Sequence, residues 1–335
     1  MDDLTVVTGG AGFIGSHLVQ QLVDRQAVVR VIERPGAPST HLPTQVEFVE
    51  ADIRDRAAIT NALAGAKIVY HLAANPNLWV RDRREFDAVN HVGTRHVLEA
   101  AVAAGAKRIV HCSTESILTC ARATGPISED VVITEADAVG PYCLSKLRAE
   151  QVARELAAAG HPVLIANPTM PVGPGDRGTS PPTRLIRDFC LKRLPARMDC
   201  TLNLIDVRDV ADGLIRIADR ALPGRRYLLG GENLTLLSLL ERISQLTGVP
   251  VPRRRVPYWL GLSAAYASEF WADHVSGRSP QATVTGVRLT QRTMHFNASR
   301  SLQELGLTTR PIDASLTDAV HWLRAQEIIP GPANA

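Results

Sequence analysis

The sequence has little of what would mark a membrane span, a disulfide framework or a nucleic-acid surface. No apolar run approaches the length needed to cross a bilayer. The five cysteines, at 112, 120, 143, 190 and 200, are an odd set without a C-x-x-C pair. They favour neither disulfides nor a zinc site, so a reducing compartment and no bound metal are expected. Aromatic residues make up only 4% of the chain and are not interleaved with basic ones, and the formal net charge is only +3. Nucleic acid is therefore not an expected partner. The densest basic cluster, Arg253 to Arg255, follows a Pro-Val-Pro turn and reads as a solvated face. The opening MDDLTVVTGG enters a strand at once and leaves no room for a signal peptide, so a cytoplasmic protein is expected.

What is present is ordinary globular composition: 335 residues, 45% hydrophobic and 21% charged, enough for one large domain or two unequal ones. Short apolar runs (LTVVTG, AVVRVIE, VEFVEAD, KIVYHLA, KRIVHCS, PVLIANP) read as buried strands. Between them HLVQQLVDRQ, RAAITNALAG, GTRHVLEAAVAAG and SKLRAEQVARELAAAG carry apolar residues at helical spacing. Strands alternating with helices predict an α/β fold with a doubly wound parallel sheet. Beyond about residue 170, PTMPVGPGDRGTSPPT reads as a long loop, and the later elements are mixed. Thr235 is placed to cap a helix that stops at Gly248. The expected division is a dinucleotide-binding domain over 1–170 and a smaller α/β substrate domain over 171–330, with a return to the first around 203–220.

The first strand runs into TGGAGFIG, where Gly9, Gly12 and Gly15 precede a helix. Glycines let backbone approach a pyrophosphate, and the helix N-terminus offers free N–H groups. With a strand before and a helix after, the pattern predicts dinucleotide binding. Glu33 ends the second strand, where a carboxylate accepts hydrogen bonds from ribose hydroxyls and repels a 2′-phosphate, favouring NAD. Arg34 follows at once and could serve that phosphate, which leaves NADP open.

PYCLSK sets Tyr142 and Lys146 four apart, on one face of any helix that begins there. A phenol with a pKa of about 10 needs a neighbouring cation to exchange a proton near neutrality. Joined to the glycine loop and to a hydroxyl at the strand end HCSTES, the pattern resembles the extended short-chain dehydrogenase/reductase (NAD-dependent epimerase/dehydratase) family. The resemblance implies a Rossmann-type domain with a smaller C-terminal substrate domain, and a homodimer built on two helices per subunit. It assigns Phe13 and Ile14 to the glycine loop, Glu33 to the ribose, and Asp52 and Ile53 to the adenine. Leu72, Ala73 and Ala74 fall beside the nicotinamide ribose, and Pro168 and Thr169 beside the nicotinamide. Asn90 takes the place of an asparagine that braces the active site. The catalytic trio becomes Thr114, Tyr142 and Lys146, with Ser113 as a substitute hydroxyl.

Within that family, ANPTMPVGPGD, LNLIDVRDVADG and YLLGGENLT resemble the branch of dihydroflavonol reductases and hopanoid-associated sugar epimerases. Nucleotide-sugar epimerases carry an asparagine just upstream of the loop's Gly-Pro, where this chain has Met170, which points to a more apolar small-molecule substrate. VPYWLGLSAAYASEFWADHV gathers Trp259, Tyr266, Phe270 and Trp271. It reads first as a core-facing helix. The alternative is a lid over an isoprenoid or polycyclic substrate, or a peripheral membrane contact. An oxidoreductase is thus the first expectation, and an epimerase or dehydratase that recycles its NAD the second. A non-catalytic dinucleotide-binding protein is the third. Glu115, directly after Thr114, either faces the substrate as an orienting or proton-transfer group or turns to solvent.

Overall fold

The computed structural model describes residues 3–119 and 125–331, so Cys120 lies outside the described residues. Among the described residues ten strands build two sheets. Seven are β1 (Thr5–Thr8), β2 (Val29–Glu33), β3 (Glu47–Glu50), β4 (Ile68–His71), β5 (Arg108–Cys112), β6 (Val163–Pro168) and β9 (Arg226–Leu229). They form one all-parallel sheet in the order β3-β2-β1-β4-β5-β6-β9. Its two faces are both covered, as a parallel sheet requires. Val7, Val110 and Leu164 pack among residues of the helices Phe13–Asp24 and Val207–Arg220. Their strand neighbours Val6, Ile109 and Ile165 point the other way, towards the helices Arg56–Ala62, Thr94–Ala103 and Gly140–Ala158. The alternation is the two-residue period of a strand buried on both sides.

The remaining strands, β7 (Met170–Val172), β8 (Thr201–Asp206) and β10 (Glu232–Thr235), make a small mixed sheet in the order β10-β8-β7. The chain leaves the large sheet for the small one twice, at Thr169 and at Gly230-Gly231, and returns once through the helix Val207–Arg220. The second departure demands glycine, since a Cβ at Gly231 would sit 2.2 Å from the Leu204 carbonyl oxygen.

Three sequence expectations change here. The segment after Pro168 is not loop from its start: Met170–Val172 is an edge strand, and an edge tolerates Pro171, which has no N–H to give a ladder. The return expected over 203–220 is split. Strand β8 stays in the small sheet, while the helix Val207–Arg220 packs on the large one, and β9 completes that sheet. The aromatic segment is a helix, Tyr258–Trp271, but its large side chains do not face the core. Trp259, Tyr266, Phe270 and Trp271 are all 50% or more exposed, and only Gly261 and Ala265 are buried. The Thr235 cap and the left-handed stop at Gly248 form as the sequence predicts. Arg253 to Arg255 are exposed. Among the described residues no helix is long and apolar enough to cross a membrane.

Candidate active site and dinucleotide cradle

The strand order reverses between β1 and β4, and the glycine loop leaves β1 at that point, where open parallel sheets bind ligands. Two glycines there are demanded by close packing. Gly9 has a φ of +75°, and a Cβ on it would meet the Ala73 backbone at 2.6 Å. A Cβ on Gly15 would lie 2.1 Å from the Gly9 carbonyl oxygen. Gly12 differs: it is exposed, and a Cβ there meets only the Gly9 oxygen, at 3.2 Å. Gly12 also heads the helix Phe13–Asp24, which has no side-chain cap and no acidic residue in its first turn. Its first N–H groups are left for an anion, and the absent side chain leaves the space one would occupy. The cradle fits a pyrophosphate.

The other sequence-assigned cofactor residues lie at or just past the C-terminal ends of β2, β3, β4 and β6. Glu33 receives the Ala11 N–H at 2.8 Å, and burial holds its carboxyl above the ordinary range, while Arg34 lies exposed beyond it. Asp52 is bound by Arg54, and Ile53 is buried under Gly93. Leu72 donates its N–H to the Thr8 carbonyl, which carries the Leu72-Ala73-Ala74 turn over Gly9. Pro168 and Thr169 are buried at the crossing between sheets. Met170 packs against the second core, beside Leu204 in register.

The proposed chemistry sits at the ends of β5 and β6. Helix Gly140–Ala158 begins with Pro141 in its first turn, so Tyr142 and Lys146 do fall on one helical face. Lys146 is buried and donates from Nζ to the Cys112 carbonyl at 2.9 Å, and burial lowers its pKa. Burial also raises the Tyr142 phenol well above its usual value, and the neighbouring Thr114 side chain pulls it part of the way back. Thr114 caps the short turn Glu115–Ile117 by accepting the Ser116 N–H. Its hydroxyl lies 3.0 Å from Glu115 Oε2 and 3.2 Å from Ser116 Oγ, and its single proton serves one of them at a time.

Glu115 does not turn to solvent. It is 7% exposed, and burial raises its carboxyl to about 7 against hydrogen bonds that lower it. A carboxyl with a folded pKa above its unfolded value of 4.5 binds more protons in the native state between those two pH values. Stability is therefore lost as pH rises from about 4.5 and levels off above about 7, by on the order of 3 kcal/mol. Glu115→Gln is expected to remove that slope, so denaturation midpoints of variant and parent should coincide near pH 4.5 and diverge towards pH 7. Parallel midpoints across that range would contradict the burial argument.

Asn90 is assigned as a brace by the family resemblance, whereas the residues that support it escaped the sequence reading. Asn90 lies in a π-helical turn, Asp87–Gly93, a wide turn often found at functional sites. There its amide accepts the Asn75 N–H at 2.7 Å and donates to Ser145 Oγ, which in turn donates to the Tyr142 carbonyl at 2.8 Å. His71 joins the cradle to this brace. The Thr94 hydroxyl gives its proton to the Asn90 carbonyl, so His71 Nε2 must donate to Thr94 Oγ1, and His71 Nδ1 then accepts from Thr8. Asn167 donates to the Thr114 carbonyl and to Glu150, whose other oxygen holds Arg226. An asparagine inside the apolar strand VLIANP was the signal for it. The Ser113 hydroxyl and both ring nitrogens of His111 are buried without a partner among the described residues.

A glycine cradle at the switch point, with a threonine, tyrosine and lysine gathered beside it, defines a dinucleotide-dependent oxidoreductase. The chain belongs to the NAD-dependent epimerase/dehydratase family, matching it over residues 5–230, and is an enzyme of the extended short-chain dehydrogenase/reductase group that uses NAD. It is 35% identical to the "Putative dihydroflavonol 4-reductase" of Synechocystis sp., over 97% of this chain and 95% of that one. It is 32% identical to "Sterol demethylase protein B" of Methylococcus capsulatus, over 97% and 99%. The crystal structure of the protein gox2253 superposes with a TM-score of 0.86 at 33% identity, covering 98% of this chain and 100% of that chain.

Proposed function

We propose that the protein moves hydride between NAD and a secondary alcohol or ketone on an apolar, polycyclic or isoprenoid-type substrate, with Tyr142 as acid and base. The observation that carries this reading is Tyr142 one helical turn from a buried Lys146, with Thr114 beside them at the end of β5. Gly9, Gly12 and Gly15 would hold the pyrophosphate of NAD and Glu33 its ribose, and the bound nicotinamide would supply the hydride chemistry at C4. In the oxidative direction the Tyr142 phenolate takes the proton of the substrate hydroxyl, and in the reductive direction the phenol returns it to the carbonyl oxygen. The Lys146 ammonium offsets the cost of the phenolate in a buried setting. Thr114 holds the substrate oxygen in line.

The substrate class rests on two supports. Met170 packs among apolar residues of the second core where a sugar diphosphate would need a polar contact. A relative covering almost the whole chain carries a sterol in its name. The test is net cofactor turnover: incubation with NAD or NADH and a panel of sterol and isoprenoid alcohols and ketones should change absorbance at the reduced-nicotinamide band. Glu115 favours the second reading, an epimerase or dehydratase that recycles its NAD, since a buried carboxyl near pKa 7 beside Thr114 can move a second proton. Conversion of a nucleotide sugar without any change at that band would replace the first reading with the second.

A further inference from the structure

The helix Tyr258–Trp271 continues through a π-helical turn to Ser276 and carries its largest apolar side chains on the outside. Trp259, Leu260, Tyr266, Phe270, Trp271 and Val275 form one broad exposed stripe: Trp259, Tyr266 and Phe270 are spaced seven and four residues apart, and Leu260, Trp271 and Val275 eleven and four. At 1.5 Å per residue the stripe is about 24 Å long. Single exposed apolar residues need no explanation, but a contiguous row with two tryptophans marks a contact surface.

The surrounding charge shows which kind of surface it meets. From Arg253 to Arg292 the chain has six arginines, no lysine and two carboxylates, Glu269 and Asp273. Both carboxylates turn inward. Arg83 reaches both, Asp273 also accepts the Trp79 indole N–H at 3.1 Å, and Glu269 accepts the Val284 N–H at 2.8 Å. Arg292 is half-buried and donates to the Asp137 carbonyl, but the other arginines stay outside. Arg253 and Arg254 stand at one end of the stripe and Arg278 at the other, where Arg81 also reaches Gly277. None of these four has an ion-pair partner among the described residues. Arg288 joins the middle of the stripe through the Tyr266 hydroxyl, at 2.7 Å. The nearby acids Asp82 and Asp199 are each already paired, with Arg84 and with Arg197 and Arg255.

We infer that this face docks on an anionic phospholipid bilayer, the aromatic stripe entering the headgroup boundary and the arginines meeting lipid phosphates. Trp, Tyr and Phe gain most at that boundary, and each arginine near an anionic surface adds to the attraction. The face is also continuous with the active site. The helix packs on Val284–Leu289, and Leu289 shares an apolar cluster with Leu78, Val139, Cys143 and Tyr142. The docking itself stands apart from the redox reading, because vesicle binding requires no substrate.

Flotation of the full chain with vesicles tests it. With phosphatidylcholine containing phosphatidylglycerol, the parent protein should float, and raised salt should release it. The triple variant Trp259→Ser/Phe270→Ser/Trp271→Ser should bind at least tenfold more weakly, while NAD still shifts its melting temperature as in the parent. Arg253→Gln/Arg254→Gln should weaken binding several-fold on anionic vesicles and leave phosphatidylcholine vesicles unaffected. A parent protein that does not float, or a triple variant that floats equally well, overturns the proposal. If instead the triple substitution converts a dimer to a monomer in sedimentation velocity and no form floats, the face belongs to a second copy of the chain.

Discussion

Tyr142→Phe is expected to lower kcat/KM by about 10²–10⁴-fold, the usual contribution of a positioned acid or base. The fold should hardly notice. The Thr114 hydroxyl keeps Glu115, Ser116 Oγ and the Ser116 N–H as partners, so no buried group is orphaned. The aromatic ring, set edge-on to Phe86, stays in place. NAD-induced protection against thermal unfolding should therefore match the parent while turnover collapses. Undiminished turnover in this variant would remove Tyr142 from the mechanism, and with it both the reductase and the recycling readings.

Glu150→Ala is expected to cost about 3–5 kcal/mol, the range for a buried ion pair that loses one partner. Glu150 is 1% exposed; one oxygen accepts from Arg226 Nε at 2.5 Å and the other from Asn167 Nδ2 at 2.8 Å. Alanine leaves the Arg226 guanidinium buried with only backbone carbonyls to meet it, Val131 foremost, and frees Asn167, which also holds the Thr114 carbonyl. Denaturant midpoints measure the loss. The double change Glu150→Leu/Arg226→Met should be closer to the parent than Glu150→Ala, because removing both charges removes their desolvation cost as well. A double variant less stable than the single one would mean that the network stabilises through more than the pairing of its charges.

The parts of the site that could be read in advance are those whose geometry is local. Tyr142 and Lys146 are four residues apart on one helix, so spacing alone puts them on one face. Gly9 and Gly15 lie six apart, one in the turn after β1 and one in the first turn of the helix Phe13–Asp24, and their need for a missing Cβ is met within that turn and its neighbour. The end of the apolar run RIVHC located the hydroxyl pair Ser113-Thr114, and the family resemblance chose Thr114 of the two. Glu115 stood undecided, since a residue at a strand end is equally consistent with solvent and with a closed site. Its burial depends on elements far along the chain.

The sequence by itself determined the doubly wound sheet, the cradle at its switch point and the tyrosine–lysine pair, because periods of two and four residues and glycine sterics act over short stretches of chain. Only the tertiary structure decided the rest. It brought Arg226 to Glu150 across 76 residues and joined Thr8 to Asn90 through His71 and Thr94. It also turned the aromatic face of Tyr258–Trp271 outward. That helix has no charge before Glu269, so no polar face marked the side towards water, and the small Gly261 and Ala265 make the contact with the body. Which face of such a helix is buried depends on the partner surface available to it, and that surface exists only once the chain has folded.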